Sequence, residues 1–128
     1  MKAQVFNQGF NRVEHHQIIS LERSKLNRLL DEERRFTQTL IESIRREIEA
    51  GARFLPSFEV VWHKIQNHDL VQNVRRRIEH LTDAYPQFLQ QVNAVRASLH
   101  QKAKACVEAA RMAMQKASYS AFSIAASR

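Results

Sequence analysis

A chain of 128 residues with 44% apolar composition fits one domain and carries enough apolar mass to fold rather than stay disordered. Its 20 Lys and Arg against 13 Asp and Glu give a formal charge of +7, which favours polyanionic partners such as nucleic acid, acidic lipid or an acidic protein face. Cys106 is the single cysteine, so no intrachain disulfide can form. The opening MKAQVFNQGF has no signal-peptide core and no run of about 18 apolar residues offers a membrane span.

The chain holds two glycines and two prolines, and Gly51, Pro56 and Pro86 fall where the helical patterning breaks. Residues 1–11 read as a loose polar lead-in, with the folded domain spanning 12–128. From about Arg12 to Ala50, apolar residues recur at three- and four-residue steps through Ile19, Leu26, Leu30, Leu40, Ile44 and Ile48, with Phe36 alongside. That pattern predicts one amphipathic helix, rod-like at roughly 57 Å. Gly51 ends it, in the place after the last turn where a left-handed backbone is usual.

A second segment starts at Ser57, a good N-cap directly after Pro56. It does not keep one face: Phe58, Val61, Trp62 and Ile65 form one stripe, and Leu70, Val71, Val74, Ile78 and Leu81 another on nearly the opposite side. An unbroken helix would bury opposite sides in its two halves, so a break is expected at 67–69, with Asp69 and Gln72 resembling a capping box.

Pro86 sits where a helix start tolerates proline best. Beyond it Phe88, Val92, Val95, Leu99, Ala103, Cys106, Ala110, Ala113, Ala117, Ala121 and Ile124 step by fours and threes, predicting a second long rod. Alanines at 105, 109, 113, 117, 121 and 125 form a small-residue ridge, and Met112, Tyr119 and Phe122 lie off the main stripe, so 109–126 is apolar nearly all round. Such a helix is normally covered on more than one side. The fold class expected is therefore all-α, an elongated helical bundle of four helical segments. Two long, roughly parallel helices flank a broken antiparallel middle leg.

Charge is uneven. Residues 1–50 carry nine basic and eight acidic groups, 51–85 five and four, and 86–128 six and one. Arg96, His100, Lys104 and Arg111 share one flank of the last helix, and Arg75, Arg76 and Arg77 form the densest cluster; with Arg53 these are the candidate polyanion contacts. Phe54, Leu55 and Phe58 are candidates for a membrane or partner tip, or for a plug at the bundle end. Ala109, Met112, Ala113, Ala117, Tyr119 and Phe122 are the candidate protein interface. The six histidines lack the i, i+4 pairing of a helical metal site, and Cys106 sits on the apolar stripe, a poor setting for a nucleophile. No catalytic residue, metal or cofactor is expected.

These features predict a non-catalytic interaction or targeting module, alone or as part of a larger protein, that makes protein contacts through its Ala-rich last helix, with a protein partner or a homo-oligomer as the first expectation. A basic bundle targeting anionic membranes through its apolar tip is the alternative, and a nucleic-acid-binding bundle the next. The cytoplasm is the default location, with peripheral membrane association and export without a cleaved signal as other routes.

Overall fold

The computed structural model describes the backbone of residues 2–51 and 56–126 and the side chains of 13–51 and 56–117. Four α-helices carry the fold: α1 (Lys2–Glu49), α2 (Phe58–Gln66), α3 (Asp69–Ala84) and α4 (Leu89–Ala126), with a single 3₁₀ turn at Pro86–Phe88 leading into α4. The all-helical bundle read from the sequence is thus the observed architecture.

The first helix is longer than the sequence suggests, beginning at Lys2 rather than Arg12. Gly9 alone costs about 1 kcal/mol against alanine, and no proline interrupts the stretch, so nothing there stops the helix. Farther along, α1 supports itself with charge ladders: Asp31 to Arg34 at 2.5 Å and to Arg35 at 2.9 Å, and Arg45 to Glu42 at 2.6 Å and to Glu49 at 3.6 Å. The hydrogen bond from Arg34, together with the positive charge of Arg34 and Arg35, holds the Asp31 carboxyl below the usual carboxylate range. Gly51 closes the helix at φ 87°, a left-handed backbone that its missing Cβ permits, and its N–H donates to the Ile48 carbonyl at 3.0 Å.

Ser57 caps α2 as its residue type implies, its hydroxyl accepting from the Val60 N–H at 3.5 Å. The break between the two apolar stripes falls at Asn67 and His68, within the predicted window. The capping residue differs from the expected Asp69. His68 holds the extended backbone (φ −63°, ψ 138°) and its Nδ1 accepts from the Leu70 N–H at 3.2 Å. Asp69 instead lies in the first helical turn, where a carboxylate meets the positive end of the helix dipole. Gln72 reaches back across the break to donate to the Gln66 carbonyl at 2.6 Å.

Burial enforces this break. Phe58, Val61 and Ile65 of α2, and Val71, Val74, Ile78 and Leu81 of α3, all face the core because the axis is interrupted between them. Straightening the leg would expose one set, at about 1.5–3 kcal/mol per side chain. Replacing Asn67 and His68 with alanine adds only about 1 kcal/mol of helix propensity. The N67A/H68A variant is therefore expected to keep the break and lose about 1 kcal/mol with its cap. Backbone chemical shifts showing one continuous helix from 58 to 84 would contradict this.

The chain direction follows from the register of contacts. Arg23 and Asn27 both bond Gln91, and Glu33 meets Arg96, so α1 and α4 run parallel. The α2–α3 leg returns antiparallel between them: Arg77 pairs with Glu32 at 3.5 Å, and Glu59 with His100. Because Arg23 is already level with the first turn of α4, the preceding turns of α1 run past the end of the bundle, and Val13 and Leu21 there are 59% and 70% exposed.

The core has two compartments. One, toward the chain reversal at Gly51, gathers Ile41, Ile48, Phe58, Val61, Ile65, Val71, Ala103, Val107 and Ala110. The other gathers Leu26, Leu29, Leu30, Val74, Ile78, Leu81, Phe88 and Val92. Phe36 packs against both, and beside it lie two buried polar side chains on the same stripe of α1, Glu33 and Thr37.

Candidate functional site

The polar layer between the compartments is built from three helices. Glu33 of α1, with its side chain 3% exposed, receives Arg96 Nε of α4 at 3.2 and 3.3 Å to its two oxygens. Arg75 of α3 approaches the same carboxylate at 4.0 Å and donates to the Gln66 side-chain oxygen, tying the end of α2 to the layer. Burial, and then the neighbouring Arg96 guanidinium, push Arg75 below the ordinary arginine value, while Glu33 and Glu79 pull the other way. An ion pair this enclosed gains its strength from low local dielectric and from the cost of leaving either partner alone.

Thr37, one turn after Glu33, is fully buried, and among the described residues its hydroxyl has no hydrogen-bond partner. It lines an open groove of about 330 Å³ between the parallel rods α1 and α4, on the side away from the middle leg, together with Gln38, Ile41, Glu42, Leu99, Lys102, Ala103 and Cys106. A buried hydroxyl without a partner keeps its desolvation cost. Thr37→Val, which keeps the shape and removes the hydroxyl, is expected to stabilise the chain by about 1 kcal/mol in denaturant unfolding; a loss instead would mean the hydroxyl is satisfied in solution.

The α4 wall of this groove continues into an uncovered surface. Ala105, Ala109, Met112 and Ala113 are exposed, Met112 at 58%, whereas Ala103, Val107 and Ala110 across the same helix are packed; Ala117, two turns beyond Ala110 on its own line, is exposed as well. As far as Ala117 the small-residue ridge read from the sequence is therefore exposed, and the side chains of its last two alanines, 121 and 125, lie outside the described residues. The side chains of Tyr119 and Phe122 lie outside the described residues.

The basic stripe of α4 is not a free face. Arg96 is engaged by Glu33, His100 lies 3.5 Å from Glu59, and Arg111 donates to the Pro56 carbonyl; Lys104 is exposed. His100 also sits edge-on to Trp62 and Phe58, at centroid distances of 5.0 and 5.3 Å. Phe58 is 5% exposed and stacks on Trp62, so it plugs the core and cannot serve as an exposed tip. Arg53, Phe54 and Leu55 lie outside the described residues. Of the arginine run, Arg76 is exposed, Arg77 pairs with Glu32, and Arg75 joins Arg96, so the three point to different surroundings.

Glu33, Thr37 and the α1–α4 groove were not singled out from the sequence. The signal existed, because Glu33 and Thr37 fill the two steps of the α1 stripe between Leu30 and Leu40 at which no apolar residue occurs.

No protein family, curated protein or solved structure matches this chain. Among the described residues no group of three or more His, Cys, Asp or Glu could hold a metal ion, and no helix is long and apolar enough to cross a membrane.

Proposed function

We propose that this chain is a non-catalytic docking module whose α1–α4 groove and adjoining alanine face receive an amphipathic helix from a protein partner. The observation that carries this reading is the asymmetry of α4, packed on one side through Ala103, Val107 and Ala110 and bare on the other through Ala109, Met112 and Ala113. Small side chains let a second helix axis approach closely. The groove between two parallel rods supplies the lateral wall.

Charge favours a partner over a second copy. From Pro86 onward the chain has six basic groups and one acidic group, and the exposed Lys102 and Lys116, each seven residues from Ala109, lie on this face, so a like helix is repelled and one with glutamates opposite them is attracted. Targeting of an acidic membrane or nucleic acid by the α4 stripe is less well supported, since three of its four groups are already engaged within the fold.

Cys106 reports on occupancy, being the sole cysteine, partly exposed and in the groove wall. A synthetic amphipathic helix with a Leu/Ala stripe and a glutamate flank should slow Cys106 alkylation more than the same peptide with a lysine flank, and A109R/A113R should remove the protection. Equal protection by both peptides, or none from either, would remove this reading; protection that grows with protein concentration alone would replace the partner with a second copy.

A further inference from the structure

On the other side of α4, between α3 and α4, a second groove of about 260 Å³ is lined by Arg75, Ile78, Glu79, Thr82, Leu89, Val92 and Arg96. Two arginines from different helices meet in it over one buried carboxylate. Glu33 spends both oxygens on Arg96 Nε, and Arg75 uses Nη1 on Gln66. Among the described residues, Arg96 Nη1 and Nη2 and Arg75 Nε and Nη2 have no protein acceptor. Their side chains are 27% and 33% exposed, open toward the groove without being free in solvent. Glu79 lies on the rim but forms no ion pair with either arginine, and the Thr82 hydroxyl is used on the Glu79 carbonyl at 3.0 Å.

We infer that Arg75 and Arg96 form an oxyanion site that binds a phosphate group between α3 and α4. A guanidinium fork presents paired N–H donors that match phosphate oxygens; Glu33 offsets one of the two positive charges, and Glu79 on the rim, which pairs with neither arginine, offsets the other only from a distance. Glu33 fixes Arg96 in place, so little side-chain freedom is lost on binding. The lower dielectric of a partly enclosed groove strengthens the contact relative to an exposed lysine cluster. Burial first, and then repulsion from Arg96, depress Arg75, and an anion placed between the two arginines offsets the repulsion. The apolar wall of Ile78, Val92 and the half-exposed Leu89 lies beside the guanidiniums, so the organic part of a phosphate ester has a surface to follow. This site is separate from the α1–α4 groove, and neither depends on the other.

Inorganic phosphate is the first probe, followed through the arginine Nε–Hε resonances at constant ionic strength. Arg75 and Arg96 should shift saturably, and Arg75→Gln should weaken binding about tenfold or more while leaving the Glu33–Arg96 pair intact. Arg77→Gln, at an exposed arginine paired with Glu32, should change nothing, and Glu79→Gln should tighten binding by removing the rim carboxylate. Arg96→Gln, if it fails to fold, is replaced by E33Q/R96Q, which removes both charges and should also lose binding. Non-saturable shifts, or equal weakening by Arg75→Gln and Arg77→Gln, would overturn the site in favour of general screening. Glycerol phosphate in solution and vesicles containing phosphatidic acid, against phosphatidylcholine alone, separate a free ester from a lipid headgroup. Dependence on Arg75 in either arm upholds the site and identifies its source, and its absence from both rejects an ester ligand.

Discussion

Arg96→Met is expected to cost about 3–5 kcal/mol of folding free energy, because it leaves the Glu33 side chain buried without its close partner. Arg75 stands 4.0 Å away and gives only partial compensation. For a domain whose total stability is about 5–15 kcal/mol, that loss is large enough to move the urea midpoint well below that of the parent chain. The companion variant E33L/R96M replaces the pair with apolar groups and is expected to regain most of the loss, since swapping a buried ion pair for packed apolar side chains is often neutral or favourable. If Arg96→Met alone costs under about 1 kcal/mol, Glu33 is either neutralised by Arg75 or hydrated in solution.

This pair also shows where sequence reading stops. Three helix ends were legible because each is set locally: Gly51 by its left-handed backbone, Ser57 by its capping hydroxyl, and Pro86 by the restriction it places on Tyr85, which lies at φ −132° outside the helical region; the start of α1 at Lys2, with no such marker, was not. The break at Asn67 and His68 was legible from two stripes that no straight helix can bury together. Glu33 was not, because whether a carboxylate on an apolar stripe is buried depends on a partner 63 positions away, and periodicity says nothing of pairs. Arg96 illustrates the same limit from the other side. On a helical wheel it belongs with His100, Lys104 and Arg111, yet the seam with α1 and the middle leg divides that group among a carboxylate, an aromatic cluster and a backbone carbonyl.

The alanine ridge was visible, but its direction was not. A spacing of four fits both the core face and the face beside it, and the α4 stripe written from the sequence includes Ala113 and Ala117, which are exposed, and leaves out Val107, which is fully buried. The core line of α4 turns through Ala103, Val107 and Ala110 toward Phe58 and Val61 of α2. Apolar residues on both sides of the helix left that choice open to tertiary packing.

Phe88→Ala should destabilise the compartment at the α4 start by about 3–5 kcal/mol, from lost transfer free energy and the cavity left behind. Phe88 is fully buried, packs at 5.4 Å centroid distance from Tyr85, and carries the Arg23 guanidinium 4.9 Å over its ring. It also ends the 3₁₀ turn that aims α4 along α1, so the cavity opens where the two rods first meet. Phe88→Leu keeps most of the volume and loses chiefly the aromatic and cation–π contributions, each about 0.5–1.5 kcal/mol. The two variants together separate packing from ring electrostatics in urea unfolding. Native-state hydrogen exchange adds a spatial readout: amides around Leu26, Ile78 and Val92 should lose more protection in Phe88→Ala than those around Ile48, Val61 and Val107, because the Glu33 layer lies between the compartments. Equal loss in both would show that the bundle opens as one unit and that the polar layer does not divide it.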